Sequence, residues 1–200
     1  GWGNTLAEEQ APYLTAAGGL RALAQLHYTY ILAQTADGLV IADQHAAHEQ
    51  VLFEQLNRGS TPVPLSPPPR LEWTPREIDT LERIAVPLRS LGLEIEPFGN
   101  RAFIVRAIPK PILGQDPTQL VTDLIQEAAR MRGSEQELRE QLAMRMACLG
   151  ALKAGDPVSP ERAQTLLDDL AQAWSPATCP HGRPALISIS LEELARRFGR

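Results

Sequence analysis

A mixed α/β fold of the α+β kind is predicted by three features of this 200-residue chain. Residues 26–43 and 93–107 read as β-hairpins, with turns at Asp37-Gly38 and Gly99-Asn100. At Gln44 the apolar period changes from that of a strand to that of a helix. A proline run at 61–70 then interrupts all regular structure, so one domain with two lobes is the expected organisation.

In chain order, residues 1–24 look like a lead-in in which Glu8-Glu9-Gln10 gives way to Leu20 and Leu23. Leu26–Thr35 is rich in strand formers, and Gly38–Ala42 reads as a buried second strand that delivers Asp43 to a strand-to-helix junction. Ala47, Val51, Leu52 and Leu56 follow a helical face that ends at Asn57–Ser60. Thr74-Pro75-Arg76-Glu77 has the pattern of a capping box with proline at the first helical position, opening a helix towards Ser90. Helices are expected at about 118–131, 135–153 and 160–173, then a short strand at 185–189 and a last helix capped by Ser190 with Glu193 at its third position. There are no repeats.

With 44% hydrophobic residues, the chain can bury a substantial core. The net charge of −5 argues against a freestanding, high-affinity nucleic-acid binder, but not against a domain brought to DNA by something else. Trp2, Trp73 and Trp174 are not interleaved with basic residues, so they give no signature of single-strand stacking. No signal peptide or membrane span is visible, and the chain begins at Gly1, so a domain of a longer intracellular protein is expected.

Chemistry-bearing residues crowd one stretch: Asp43, His45, His48, Glu49 and Glu54, in a chain with only four histidines. His45 and Glu49 are four apart and share one helix face. Cys179-Pro180-His181-Gly182-Arg183-Pro184 supplies a thiol and an imidazole, borderline ligands that suit zinc, in a proline-stiffened turn. Cys148, on an apolar helix, reads equally as a small buried hydrophobe, and a disulfide to Cys179 is disfavoured in a reducing compartment. Asp43, His45, Glu49, Cys148, Cys179 and His181 are too many for one tetrahedral ion and suit two ions sharing a carboxylate, for which Glu49 is the natural choice. Phosphodiester hydrolysis fits such a pair, one ion lowering the pKa of a bound water while both neutralise phosphate charge.

Plainer roles compete at several positions. His48 points away from the His45–Glu49 face and reads as a surface or lobe-contact residue. Glu54 could pair with an arginine, and Arg183 with an acidic group or, bidentately, with a phosphate. Arg200 could simply end a helix. A hydrolase of small phosphoesters is disfavoured, because the loops give no obvious small-ligand pocket.

These residues carry a resemblance. The chain resembles the C-terminal domain of the MutL family of DNA mismatch-repair proteins, in its endonuclease branch. The family's Asp-Gln-His-Ala-x-x-Glu-x-x-x-x-Glu is matched by Asp43-Gln44-His45-Ala46, Glu49 and Glu54, and its Cys-Pro-His-Gly-Arg-Pro by residues 179–184. Ala147-Cys148-Leu149 corresponds to its Ala-Cys-Arg or Ala-Cys-Lys, with Leu149 in place of the basic residue, and Phe198-Gly199-Arg200 to its terminal Phe-x-Arg.

The resemblance implies a latent, metal-dependent endonuclease that nicks one strand of duplex DNA, with Asp43, His45 and Glu49 as catalytic residues. It implies a ligand set of those three with Cys148, Cys179 and His181, zinc as a regulatory or structural ion, and manganese supporting nicking. Arg183, Arg200 and Glu54 are the candidates for DNA contact or structural support. The implied architecture is a dimerisation and metal-site lobe from residues 1–71 and 144–200, with an external regulatory lobe, 72–143, inserted between. The implied setting is the bacterial cytoplasm, nucleoid-associated during repair, with a homodimer, a MutS-type mismatch sensor and the replication sliding clamp as partners, and ATP binding confined to a separate N-terminal domain. The stretch Pro62-Val63-Pro64-Leu65-Ser66-Pro67 lacks the glutamine of the clamp-binding peptide found in many bacterial relatives. The alternative is a catalytically inactive, zinc-stabilised dimerisation module.

Overall fold

A computed structural model describes residues 19–173 and 177–200; most of the lead-in, with Trp2, and also Trp174 lie outside the described residues. Eight strands, six α-helices and a 3-10 turn at Lys110–Ile112 are described: β1 Arg21–Leu26, β2 Tyr30–Gln34, β3 Gly38–Asp43, α1 Gln44–Asn57, β4 Pro62–Pro64, β5 Arg70–Glu72, α2 Pro75–Ser90, β6 Glu94–Pro97, β7 Ala102–Pro109, α3 Pro117–Ala128, α4 Glu135–Gly150, α5 Pro160–Ala171, β8 Leu186–Ser190 and α6 Leu191–Arg197. This is a mixed α/β fold with two open sheets. Packing divides it into two compact units, one comprising the described residues up to Val51 together with those from Ala151 to Arg200, the other Leu52–Gly150.

The first unit is built on an antiparallel sheet of order β1-β2-β3-β8. Its inner face follows from strand alternation: Ile31 and Ala33 of β2, Val40 and Ala42 of β3, and Leu186 of β8 all enter one core with Ala163, Leu166, Leu167 and Leu170 of α5. Ser159 caps α5 by accepting a hydrogen bond from the Arg162 N–H. The opposite face leaves Leu26, Tyr30 and Ile187 exposed.

One strand differs from its expected form. The run from Leu26 to Thr35 is broken at His27-Tyr28-Thr29, where His27 and Tyr28 adopt φ of 49° and 50°. That reversal makes β1 and β2 a second hairpin, with Leu26 opposite Tyr30. β-formers on both sides of the turn give the sequence one uninterrupted strand signal, and left-handed backbone at two non-glycine residues has no compositional mark.

In the second unit β7 is central, and seven of its eight residues are buried, with β4 and β5 along one edge and β6 along the other. The proline run therefore contributes two short strands at the ends of a sheet edge, where missing N–H groups are tolerated. α2 opens with the expected capping box of Thr74 and Glu77. Trp73 is core, its ring centroid 4.8 Å from that of Phe103. Among the described residues no helix is long and apolar enough to cross a membrane.

The β3–β8 pairing is tightest at Gly38, where an added Cβ would collide with the Ile189 carbonyl oxygen. Gly38→Ala is expected to lower unfolding free energy by about 1–3 kcal/mol, read as a lower urea midpoint; an unchanged midpoint would contradict that pairing.

Candidate metal centre

Asp43 ends β3 and caps α1. Its Oδ1 accepts hydrogen bonds from the N–H groups of His45 (2.9 Å) and Ala46 (3.0 Å), which satisfies two donors that the first helical turn cannot pair internally. Gln44 is fully buried, and its amide nitrogen donates to the carbonyls of Tyr28 (2.9 Å) and Lys153 (2.7 Å). His45 Nδ1 lies 2.7 Å from the Leu152 carbonyl oxygen, so it is the protonated ring nitrogen. The other ring nitrogen, Nε2, lies 4.0 Å from Glu49 Oε1.

The other half of the centre is the turn 179–184. The Cys179 N–H donates to the Arg183 carbonyl (2.9 Å) and the Gly182 N–H to the Cys179 carbonyl (2.8 Å), closing a tight loop. Gly182 has φ +77°, a conformation glycine adopts without strain. The loop is tied to the end of β3 by the Asp43 N–H, which donates to the Ala185 carbonyl at 3.0 Å. Cys179 is buried in a small cluster with Ala46 of α1 and Ala185. Small side chains at 46 and 185 therefore let the thiol approach the helix.

Together these elements surround Glu49, whose carboxylate has 0% exposure. His181 Nδ1 stands 3.4 Å from Glu49 Oε2 and Arg183 Nη2 3.5 Å from the same oxygen. Ligand atoms of Glu49, Cys179 and His181 all lie within 4.8 Å of one another. A carboxylate, a thiol and an imidazole so grouped form a donor set that fits a zinc-like ion. The guanidinium of Arg183 is held above its ordinary pKa, first by its hydrogen bond to the Cys179 sulfur and further by the charges of Cys179, Glu49 and Asp43.

The remaining sequence candidates fall in different places. Asp43 ends β3 and His45 stands in the first turn of α1, 4.0 Å from Glu49; among the described residues the mutually close ligand atoms are those of Glu49, Cys179 and His181, without these two. Cys148 is half-buried on α4 of the second unit, where Arg145 Nη1 is 3.7 Å from its sulfur; neither cysteine is in a disulfide. Glu54 is paired with Arg58, 2.9 Å away and one helical turn on. Arg200 is exposed beyond α6, its N–H bonded to the Ala195 carbonyl.

Of the surface or lobe-contact positions expected for His48, the surface one is corrected. Its ring is partly buried, and Nδ1 accepts a 3.0 Å hydrogen bond from the Leu152 N–H. Gln44 and His48 are the residues whose structural work the sequence did not reveal. Their partners lie about a hundred residues away, beyond the reach of helical periodicity.

These features define a mixed α/β domain with a carboxylate–thiol–imidazole cluster suited to a metal ion. Residues 23–158 match the profile of the MutL C terminal dimerisation domain, and the chain belongs to that family. It is similar to proteins called DNA mismatch repair protein MutL: 44% identical to that of Desulforudis audaxviator, 40% to that of Anaeromyxobacter sp. strain K and 37% to that of Exiguobacterium sp.. Those alignments cover 90–91% of this chain but 31–33% of each relative, so the chain spans about a third of their length.

Burial, and then the charges of Arg162, His45 and Lys153, lowers the His48 pKa from 6.5 to about 4. Below pH 6.5 the unfolded chain binds a proton that the folded one refuses, so stability falls as pH drops from about 6.5 through 4 and is flat above. The loss is on the order of 3 kcal/mol when complete. Urea titrations of metal-stripped protein at pH 7, 5.5 and 4.5 should show this decline relative to His48→Gln; parallel profiles would refute it.

Proposed function

We propose that the chain is a metal-stabilised dimerisation module of a MutL-type mismatch-repair protein, holding zinc through Glu49, Cys179 and His181. The observation that carries this reading is the grouping of those three ligand atoms around a carboxylate with no exposure. A zinc ion there would replace the water that burial removes from Glu49 and tie α1 to the 179–184 turn, adding its binding free energy to folding. The outer face of the first unit's sheet, with Leu26, Tyr30 and Ile187 exposed, supplies the dimer contact in this reading. The sheet unit is then the dimerisation lobe and Leu52–Gly150 the external lobe.

Two substitutions separate these roles. His181→Ala is expected to lose bound zinc and to melt several degrees lower while sedimenting as a dimer. Ile187→Glu should keep zinc but sediment as a monomer. Equal zinc content in His181→Ala and the unaltered protein would defeat the metal assignment.

A second reading, the endonuclease, is favoured by one further observation. His45 Nε2 lies 4.0 Å from Glu49 Oε1 at the end of α1 that Asp43 caps, so an ion at Glu49 has candidate ligands besides Cys179 and His181. Asp43, His45 and Glu49 would then hold a manganese ion, which when bound would supply an activated water and offset phosphate charge. Arg183, 60% exposed beside Glu49, would take a phosphate of duplex DNA, with Arg200 as a further contact. A net charge of −5 gives little general attraction to DNA, so loading would fall to a MutS-type sensor, a sliding clamp and the rest of a longer protein.

In this reading Asp43→Asn abolishes manganese-dependent nicking of supercoiled plasmid, assayed with clamp present, while leaving zinc content and dimerisation intact. Equal nicking by Asp43→Asn would remove Asp43 from the site.

A further inference from the structure

Three side chains from the first turns of α1 grip consecutive backbone groups of one distant segment. His48 accepts from the Leu152 N–H at 3.0 Å, His45 donates to the Leu152 carbonyl at 2.7 Å, and Gln44 donates to the Lys153 carbonyl at 2.7 Å. His45 and His48 therefore hold the two backbone polar groups of a single residue. The Leu152 side chain is itself buried in the sheet core, which leaves that residue little room to shift while both bonds are made.

We propose that His48 is a positioning residue: by fixing Leu152 it fixes the proton of His45 on Nδ1 and so presents Nε2 to an ion bound at Glu49. The inference rests on the endonuclease reading, in which His45 is a metal ligand. An imidazole that must bind metal through one nitrogen needs its other N–H engaged by an acceptor, which sets both tautomer and ring orientation. The Leu152 carbonyl is that acceptor, since a carbonyl oxygen can only accept. The N–H of the same residue is anchored one turn along α1 at His48, and the Lys153 N–H, in the peptide unit of that carbonyl, donates to Asp156 Oδ2 at 2.7 Å.

Removing the acceptor at 48 leaves the Leu152 N–H to seek another partner, and a rotation at Leu152 that is passed on to the next peptide unit shifts the carbonyl relative to His45. His45 then loses the bond that selects its tautomer. Zinc held by Glu49, Cys179 and His181 needs neither histidine of α1 and should be indifferent. The consequence is selective: loss of one ion and retention of the other.

The test compares the unaltered protein with His48→Leu, which removes the acceptor, and His48→Gln, whose side-chain oxygen can restore it. Nitrogen-15 NMR of the His45 ring reads its tautomer without metal. Manganese binding is read from the loss of the aqueous-ion EPR signal, and zinc binding by competition with a chromophoric chelator. The unaltered protein should show His45 protonated at Nδ1. His48→Leu should mix the tautomers and weaken manganese about 10- to 100-fold with zinc affinity unchanged, and His48→Gln should recover both tautomer and manganese.

A His45 protonated at Nε2 in the unaltered protein overturns the proposal, as does a His48→Leu protein that keeps both the tautomer and the manganese affinity. If the unaltered protein takes up no manganese, the endonuclease reading fails on its own account, and the His45 tautomer across the three proteins still decides the role of His48. Should His48→Leu not fold, loss of the Nδ1 tautomer in His48→Gln is the overturning result.

Discussion

Glu49 is a carboxylate with no exposure, on a helix that has to meet the rest of its unit. Taking a carboxylate out of water is costly unless cations, donors or a metal stand in for the solvent. That requirement explains why the 179–184 turn must dock where it does, since it brings His181 and Arg183 to within 3.5 Å of one Glu49 oxygen. The docking depends in turn on β8 pairing with β3, because the turn leads directly into β8 and Asp43 bonds to Ala185 at the junction. The β3–β8 pairing and the placement of the turn thus share one junction.

The first turns of α1 carry two burdens at once. Asp43 and Gln44 do structural work there, Asp43 as the helix cap and Gln44 as a buried clamp on the 153 region, while the same few residues offer ligand atoms. Asp43 Oδ1 is occupied by two backbone N–H groups, so the carboxylate proposed as a ligand also starts the helix. Such double use restricts substitution: a change made to probe chemistry at Asp43 also touches a cap of the kind usually worth about 1 kcal/mol.

The sheet of the first unit separates its own two faces by alternation. Ile31, Ala33, Val40 and Ala42 are consumed by the core with α5, and the residues between them face outward. Tyr30 and Asp43 are register partners on that outward side. The outer surface thus runs along β3 to Asp43, where α1, which carries Glu49, begins.

What the sequence by itself determined was whatever depends on neighbours in the chain. The capping box at Thr74, the switch of period at Gln44, the ends of β6 and β7 around Gly99-Asn100 and the caps at Ser159 and Ser190 are local hydrogen-bond or steric preferences, and each is where the residues put it. The metal-binding chemistry of Glu49, Cys179 and His181 was legible for the same reason, because ligand type is a property of the side chain. The tertiary structure decided the rest. It turned the backbone at His27-Tyr28 and gave His48 the N–H of a residue more than a hundred positions away as its partner. Those outcomes depend on which distant backbone groups would otherwise be buried without a partner, and that is known only once the chain has closed on itself.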